Sequence, residues 1–393
     1  MKTRILYVET GRPSKNGAYG GSVNSIIQLI EKIDKSKFEI YFYLEYAIPN
    51  LIKYFNENNV VVFSSQKLDY SNDINYKLKT NLPSFLKQNF IYSYVSYLKK
   101  KRKIDILLEI IKNNKINIVH GNDRFTANIN AIIASIKLNI PFIQHQRKFE
   151  KKIPFYLNKY INYPITYIAI SNAINDDLKS KLNVKSQKIK TIHNWINFSN
   201  NVKFKVEKTN LDAFKFLWVG RIIPWKGIDI LVKLAVILKQ KKIKSFKFEV
   251  FGDFDDNSYK QDILNLIQNN NLQSFFVFHG YQSHANIFNN HYDLFIHTSK
   301  KPEPFGRTII ENMYQGIPVL ATEMGGVTDI VKNNFNGFTY DFNDLENLSN
   351  IILKLIYNND LKQKIISNAE STVENHFSGA IQINQINSIY DKL

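Results

Sequence analysis

Four charged side chains in the second half of the sequence have the types and spacing for chemistry on a phosphorylated ligand. Glu303 stands in S-K-K-P-E-P-F-G-R, and Glu311 follows with seven residues between them. Arg221 and Lys226 stand upstream in V-G-R-I-I-P-W-K-G. Two neighbouring carboxylates can act as a general acid and base, or each can hold hydroxyl groups of a ligand. A guanidinium fork and a lysine point charge together suit a diphosphate. Gly220 and Gly227 beside those cations allow the backbone to approach closely. On residue types alone, both readings of the acids stand.

The surrounding pattern says how these side chains are positioned. Leu294-Phe295-Ile296 reads as a short buried strand entering a Pro/Gly loop that carries Glu303. Residues 307–315 read as a helix stopped by Gly316 and Pro318, with Glu311 in its second turn. The strand Val319–Ala321 then runs into Gly325-Gly326. Upstream, Phe214–Val219 is a strand ending at Gly220-Arg221, and a helix follows over Asp229–Leu238. Strand, loop, helix, strand is the order of a doubly wound α/β sheet, whose ligands sit at the carboxyl ends of its strands.

The first half repeats this order. Arg4–Val8 reads as a first strand, and the loop after it ends in Gly20-Gly21 before an amphipathic helix. Glycines just ahead of a helix suit a phosphate. The spacing is not G-x-G-x-x-G, which disfavours a nicotinamide enzyme. Further strands are expected at Glu39–Tyr43, Val60–Phe63, Ile116–His120, Phe142–His145, Tyr167–Ile170 and Ile189–His193. Polar clusters follow three of them: His120 to Arg124 with Asn122, His145 to Arg147, and Ser171-Asn172. Lone histidines are commonplace in cores, and it is the shared place at strand ends that marks His120, Asn122 and His145 as candidates.

The strings E-P-F-G-R, E, G-I-P-V-L-A-T, G-G, D-I-V and N-G, preceded by V-G-R-I-I-P-W-K-G-I-D-I-L, resemble the retaining glycosyltransferases of family 4 and their E-x7-E signature. The resemblance implies the GT-B fold: two Rossmann-like doubly wound domains facing across a cleft. Residues 1–198 would be the acceptor-side domain, 199–375 the donor-binding domain, and 376–393 a helix returning to the first. It implies catalytic roles for Glu303, Arg221 and Lys226, the cations stabilising the departing diphosphate. Glu303 would hold hydroxyls of the donor sugar, Phe305, Gly306, Arg307 and Thr308 would lie along sugar and phosphate, and Glu311 would bind the ribose. Gly220, Gly20 and Gly21 would face the phosphates. Family members often carry a second histidine two places after the first; here that place is Asn122, so no histidine role carries over. Asp253-Phe254-Asp255 is not taken as a metal site, and no metal or other cofactor is expected.

The implied activity is transfer of a sugar, with retention, from a nucleotide diphosphate sugar to a glycan or lipid-linked saccharide. The setting would be bacterial-type surface polysaccharide synthesis (lipopolysaccharide, O-antigen or capsule). A nucleotide-sugar epimerase on the same architecture is the alternative. A basic nucleic-acid-binding protein is a distant third, no nucleic-acid motif being present.

Bulk properties agree with a two-domain globular enzyme. The chain has 393 residues, 44% of them apolar, enough for two cores. There is no cysteine, which fits a reducing compartment. Neither a signal peptide nor a spanning segment stands out, so the expected place is the cytoplasm, peripheral on the inner face of the membrane. The charge is lopsided: residues 1–200 carry 31 Lys and Arg against 14 Asp and Glu, while residues 201–393 carry 21 against 20. Basic–aromatic stretches at 89–103 and 147–160 have the composition of a surface for anionic lipid.

Overall fold

Apolar runs too short for helices become the strands of two parallel sheets. The computed structural model describes residues 2–11, 21–65, 84–196, 213–243 and 245–393. They divide into one unit of Met1–Ile170, Ile174–Ile192 and Gln385–Leu393, and another of Ser171–Ala173 and His193–Asn384. The boundary expected between residues 198 and 199 lies outside the described residues.

The first sheet holds β1 (Thr3–Glu9), β2 (Phe38–Leu44), β3 (Val61–Ser64), β4 (Ile118–Asp123), β5 (Phe142–Gln146), β6 (Thr166–Ala169) and β7 (Ile189–Thr191). Their order is β3-β2-β1-β4-β5-β6-β7, with every neighbour parallel. Ile5, Leu6, Tyr7 and Val8 are fully buried, as a strand covered on both faces requires. The order reverses between β1 and β4, where Glu9 lies in register with Asn122. The helix Gly21–Lys32 closes on this sheet through Val23, Ile26, Leu29 and Ile30, the i, i+3, i+4 stripe of its sequence.

One element differs from its sequence expectation in a way that matters. The fourth strand was expected to end at His120, yet its ladder runs on to pair Asp123 with Gln146. The polar residues extend the strand because they have partners inside the unit. His120 and His145 are therefore fully buried within the sheet and not at its edge.

Their hydrogen bonds form a directed chain. An Arg147 Nη2–H faces His145 Nδ1 at 3.3 Å, and arginine can only donate, so that nitrogen is an acceptor. His120 Nε2, 3.1 Å from it, therefore carries a proton. His120 Nδ1 then accepts from the Tyr390 hydroxyl at 2.6 Å, and Tyr390 accepts from Tyr7 at 2.9 Å. Both imidazoles are neutral: burial, with Arg147 nearby, pushes His120 down to about 3 and His145 well down as well. Tyr390 closes the helix Gly379–Tyr390 and so ties the end of the chain to β1 and β4.

The second sheet holds β8 (Phe214–Val219), β9 (Phe246–Phe251), β10 (Phe276–Gly280), β11 (Leu294–His297), β12 (Val319–Thr322) and β13 (Phe338–Tyr340). Their order is β10-β9-β8-β11-β12-β13, again parallel, and the reversal falls between β8 and β11. Phe216, Phe248 and Phe276 stack across β8, β9 and β10 with centroids 4.7 and 4.9 Å apart. The three residues of β13 fall within a stretch for which the sequence suggested no strand. The helix Ser84–Asn113 takes in the whole basic–aromatic stretch 89–103. Among the described residues no helix is long and apolar enough to cross a membrane.

Replacing Tyr390 by Phe leaves the Tyr7 hydroxyl and His120 Nδ1 buried without their partner. The expected loss is about 1–3 kcal/mol, a fall of several degrees in the melting temperature of the intact chain. An unchanged melting temperature would show that the hydroxyl carries no weight.

Candidate active site

In the second unit the loops leaving β8 and β11, the two strands at the reversal, are fastened to each other. Trp218 Nε1–H donates to Thr298 Oγ1 at 2.9 Å, and the Thr298 hydroxyl donates to the Lys226 carbonyl at 2.7 Å. The Lys300 amide donates to the Trp225 carbonyl at 2.7 Å, and its ammonium meets Asp229 at 2.6 Å. Gly227 turns between them at φ 71°, where a Cβ would come within 2.1 Å of the Thr298 carbonyl oxygen. Only glycine permits that approach.

This fastening brings Lys226 and Glu303 together. The Lys226 ammonium bonds to Glu303 Oε1, which also accepts from the Ser299 hydroxyl at 2.6 Å and from His297 Nε2–H at 3.2 Å. Among the described residues every hydrogen bond to the Glu303 carboxylate falls on Oε1, which leaves Oε2 for a ligand hydroxyl. Burial alone would raise the Glu303 carboxyl, but the Lys226 charge and the His297 hydrogen bond hold it well below the usual carboxylate range. His297 is itself lowered by burial, against the opposing pull of Glu303. The backbone at Glu303 is fixed by the Gly326 amide, 2.7 Å from its carbonyl oxygen. Gly325, at φ 64°, lets that strand-like bridge form: a Cβ there would stand 2.4 Å from the same oxygen.

The other expected donor residues are arranged around this pair. Gly306, at φ 115°, caps the helix Arg307–Tyr314; its carbonyl accepts from the Ile309 amide at 3.0 Å, and the Thr308 amide stands in the first turn, where α-helical acceptors are lacking. Arg307 reaches Glu311 one turn on at 3.4 Å; burial pushes the Glu311 carboxyl up and Arg307 opposes this. The Phe305 ring is buried against His193 and Phe377. Arg221 is exposed and, among the described residues, pairs with Asp255 at 3.2 Å. It does not join Lys226 and Glu303. Gly220 precedes it at the end of β8, and Asp253 accepts from the Tyr281 amide at 3.1 Å. His297, Thr298 and Ser299 were not singled out from the sequence, although they stand at the end of an expected strand.

In the first unit the reversal between β1 and β4 holds a second carboxylate. Glu9 Oε1 accepts from the Gly11 amide at 2.8 Å, and Oε2 accepts from the Asn122 amide. Asn122 Oδ1 accepts from Arg147 Nε at 2.8 Å. Asp123 meets Lys148 at 2.9 Å. Burial, then the Asp123 charge, pushes Glu9 up to about 7. Asn122 is thus fully engaged at the place where a second histidine was looked for. Gly21 opens the helix Gly21–Lys32, and Gly20 lies outside the described residues.

Comparison with known proteins bears on both units. The family model described as Glycosyltransferase Family 4 matches residues 19–200, and that described as Glycosyl transferases group 1 matches residues 199–372. An uncharacterized glycosyltransferase of Methanocaldococcus jannaschii is 28% identical over 322 residues, which are 78% of this chain and 86% of that protein. The capsular polysaccharide biosynthesis glycosyltransferase CapM of Staphylococcus aureus is 30% identical over 236 residues, 57% of this chain and 60% of CapM. Among solved structures, Anabaena HepE in complex with UDP and glucose superposes with a TM-score of 0.74 at 20% identity, covering 100% of each chain.

The Glu9 carboxyl gives a pH signature. Its folded-state value, about 7, lies above the ordinary 4.5, so between these the folded protein holds more protons than the unfolded chain. The stability tied to this group is complete below pH 4.5 and is lost as the pH rises through 7, by roughly 3 kcal/mol. Glu9→Gln should remove that slope from a denaturation series at pH 5 to 8, whatever its absolute stability. An identical slope in the variant would assign it elsewhere.

Proposed function

The chain belongs to glycosyltransferase family 4, and from that premise we propose that it moves a sugar from a nucleoside-diphosphate sugar to a saccharide or lipid-linked saccharide, retaining the anomeric configuration. The observation that carries this reading is the Lys226–Glu303 pair at the sheet reversal of the second unit. Lys226 offers the departing diphosphate a fixed positive charge, and the N-terminus of the helix Arg307–Tyr314 adds partial charge of the same sign. Arg221, exposed just after the end of β8, supplies a further cation on leaving Asp255. Glu303 presents Oε2 to sugar hydroxyls, and Glu311 has two oxygens for the two hydroxyls of a ribose.

In this mechanism both acids position the donor, and the leaving phosphate takes the acceptor's proton. No general base and no metal ion is required, because Lys226, Arg221 and the helix terminus neutralise the phosphates. Residues 199–375 form the donor side. The acceptor is assigned to residues 1–198, whose excess of cations suits an anionic membrane carrying a lipid-linked saccharide. That points to the inner face of the cell membrane as the place of work. The capsular role in the name of CapM and the UDP bound to HepE support surface polysaccharide synthesis and a uridine donor.

The test is to incubate the protein with a panel of nucleotide sugars, with and without saccharide acceptors, and follow the anomeric proton by NMR. The expected first product needs acceptor and keeps the donor's configuration. An inverted product would overturn retention, and an epimerised nucleotide sugar formed without acceptor would overturn transfer.

A further inference from the structure

The basic–aromatic stretch 147–160 divides in two. Its first part is consumed inside the first unit: Arg147 is buried against Asn122 and His145, Lys148 is bound to Asp123, and Glu150 is buried. From Lys151 onward the chain faces out. Lys151, Lys152, Pro154, Phe155, Tyr156 and Lys159 are all exposed. Phe155 is 85% exposed, the highest of any large apolar side chain among the described residues, and Tyr156 beside it is 51% exposed.

These rings are held out by structure. Phe155–Tyr160 is a 3-10 turn entered through Pro154, and Leu157 and Ile161 are buried beneath it. The Tyr163 hydroxyl fixes the exit by donating to the Ile140 carbonyl at 2.7 Å. The sequence has no Asp or Glu between Glu150 and Asp176. Two rings side by side and three lysines around them, on a stretch without a carboxylate of its own, form a surface whose partner is apolar at the centre and anionic at the rim. Lysine is depleted from the cores of protein–protein interfaces, whereas aromatic rings at headgroup depth with ammonium groups on phosphate are the usual makeup of a lipid-facing surface. The other basic stretch is less free than its sequence suggests, since Lys103 is bound to Glu45 at 2.6 Å.

We infer that the turn 151–160 is the element that seats this glycosyltransferase on an anionic bilayer, Phe155 and Tyr156 entering the headgroup region while Lys151, Lys152 and Lys159 meet lipid phosphates. The inference rests on the membrane part of the function proposed above and gives it a location.

Co-flotation of the full chain with vesicles tests it, using phosphatidylcholine alone or with one third phosphatidylglycerol. Wild type should float with the anionic vesicles only. Phe155→Ala/Tyr156→Ala should lower the partition constant about tenfold, and Lys151→Gln/Lys152→Gln/Lys159→Gln about a hundredfold, at roughly fivefold per cation. Lys100→Gln/Lys101→Gln/Arg102→Gln should have the smaller effect of the two sets of cation replacements. All these side chains are exposed, and unchanged melting temperatures would confirm that the variants fold. If wild type binds and the turn variants bind equally, the inference falls while membrane docking stands. If wild type floats with neither vesicle, both fall. If Phe155→Ala/Tyr156→Ala instead converts a dimer to a monomer in sedimentation, the surface belongs to a second copy and the inference is overturned.

Discussion

The Glu303 carboxylate is taken out of water with the Lys226 ammonium against it, and much of the second unit exists to make that tolerable. A buried charge without a partner costs several kcal/mol, and a buried pair recovers this only when further hydrogen bonds complete it. Here Ser299 and His297 complete one carboxylate oxygen. The geometry in turn needs the β8 and β11 loops fastened through Trp218, Thr298 and Lys300, and needs Gly227 and Gly325 where no side chain would fit. A pair held this way is pre-organised for a ligand that brings its own negative charge to Lys226 and its own hydroxyls to Glu303.

The first unit places a carboxylate at the equivalent reversal and treats it differently. Glu9 has amide donors from Asn122 and Gly11, with Asp123 near enough to repel it, and it rises toward neutrality. Glu303 has a cation and stays ionised. One sheet edge carries a fixed charge and the other a proton that leaves near neutral pH, although both carboxylates stand at the reversal of their sheet. Environment, not residue type, sets the difference.

Much of this was legible in the sequence because it is local. Short apolar runs, glycine pairs before helices and the stop at Gly316 and Pro318 marked the alternation of strand and helix. The strings around Glu303 and Arg221 marked the site loops. What was not legible depends on distance in the chain. Tyr390 completes the bonds of Tyr7 and His120 from 383 and 270 residues away, and no local pattern announces it. The strand through His120 ran three residues further than its apolar residues suggested, because Asn122 and Asp123 found partners on Glu9, Arg147 and Lys148. His297 and Ser299 could have been found by the reasoning that marked His120, since both stand at the carboxyl end of an apolar run. Arg221 was grouped with Lys226 through the string V-G-R-I-I-P-W-K-G, which does not tell that its side chain pairs with Asp255.

The claim that Lys226 and Glu303 act as one unit is tested most directly by a double-mutant cycle on stability at pH 7, with Lys226→Met, Glu303→Gln and both together. Removing the cation alone strands a buried carboxylate and should cost roughly 3–5 kcal/mol. The double variant should then lose markedly less than the sum of the two single losses. Additive losses would mean that the two side chains do not depend on each other, and would contradict the account.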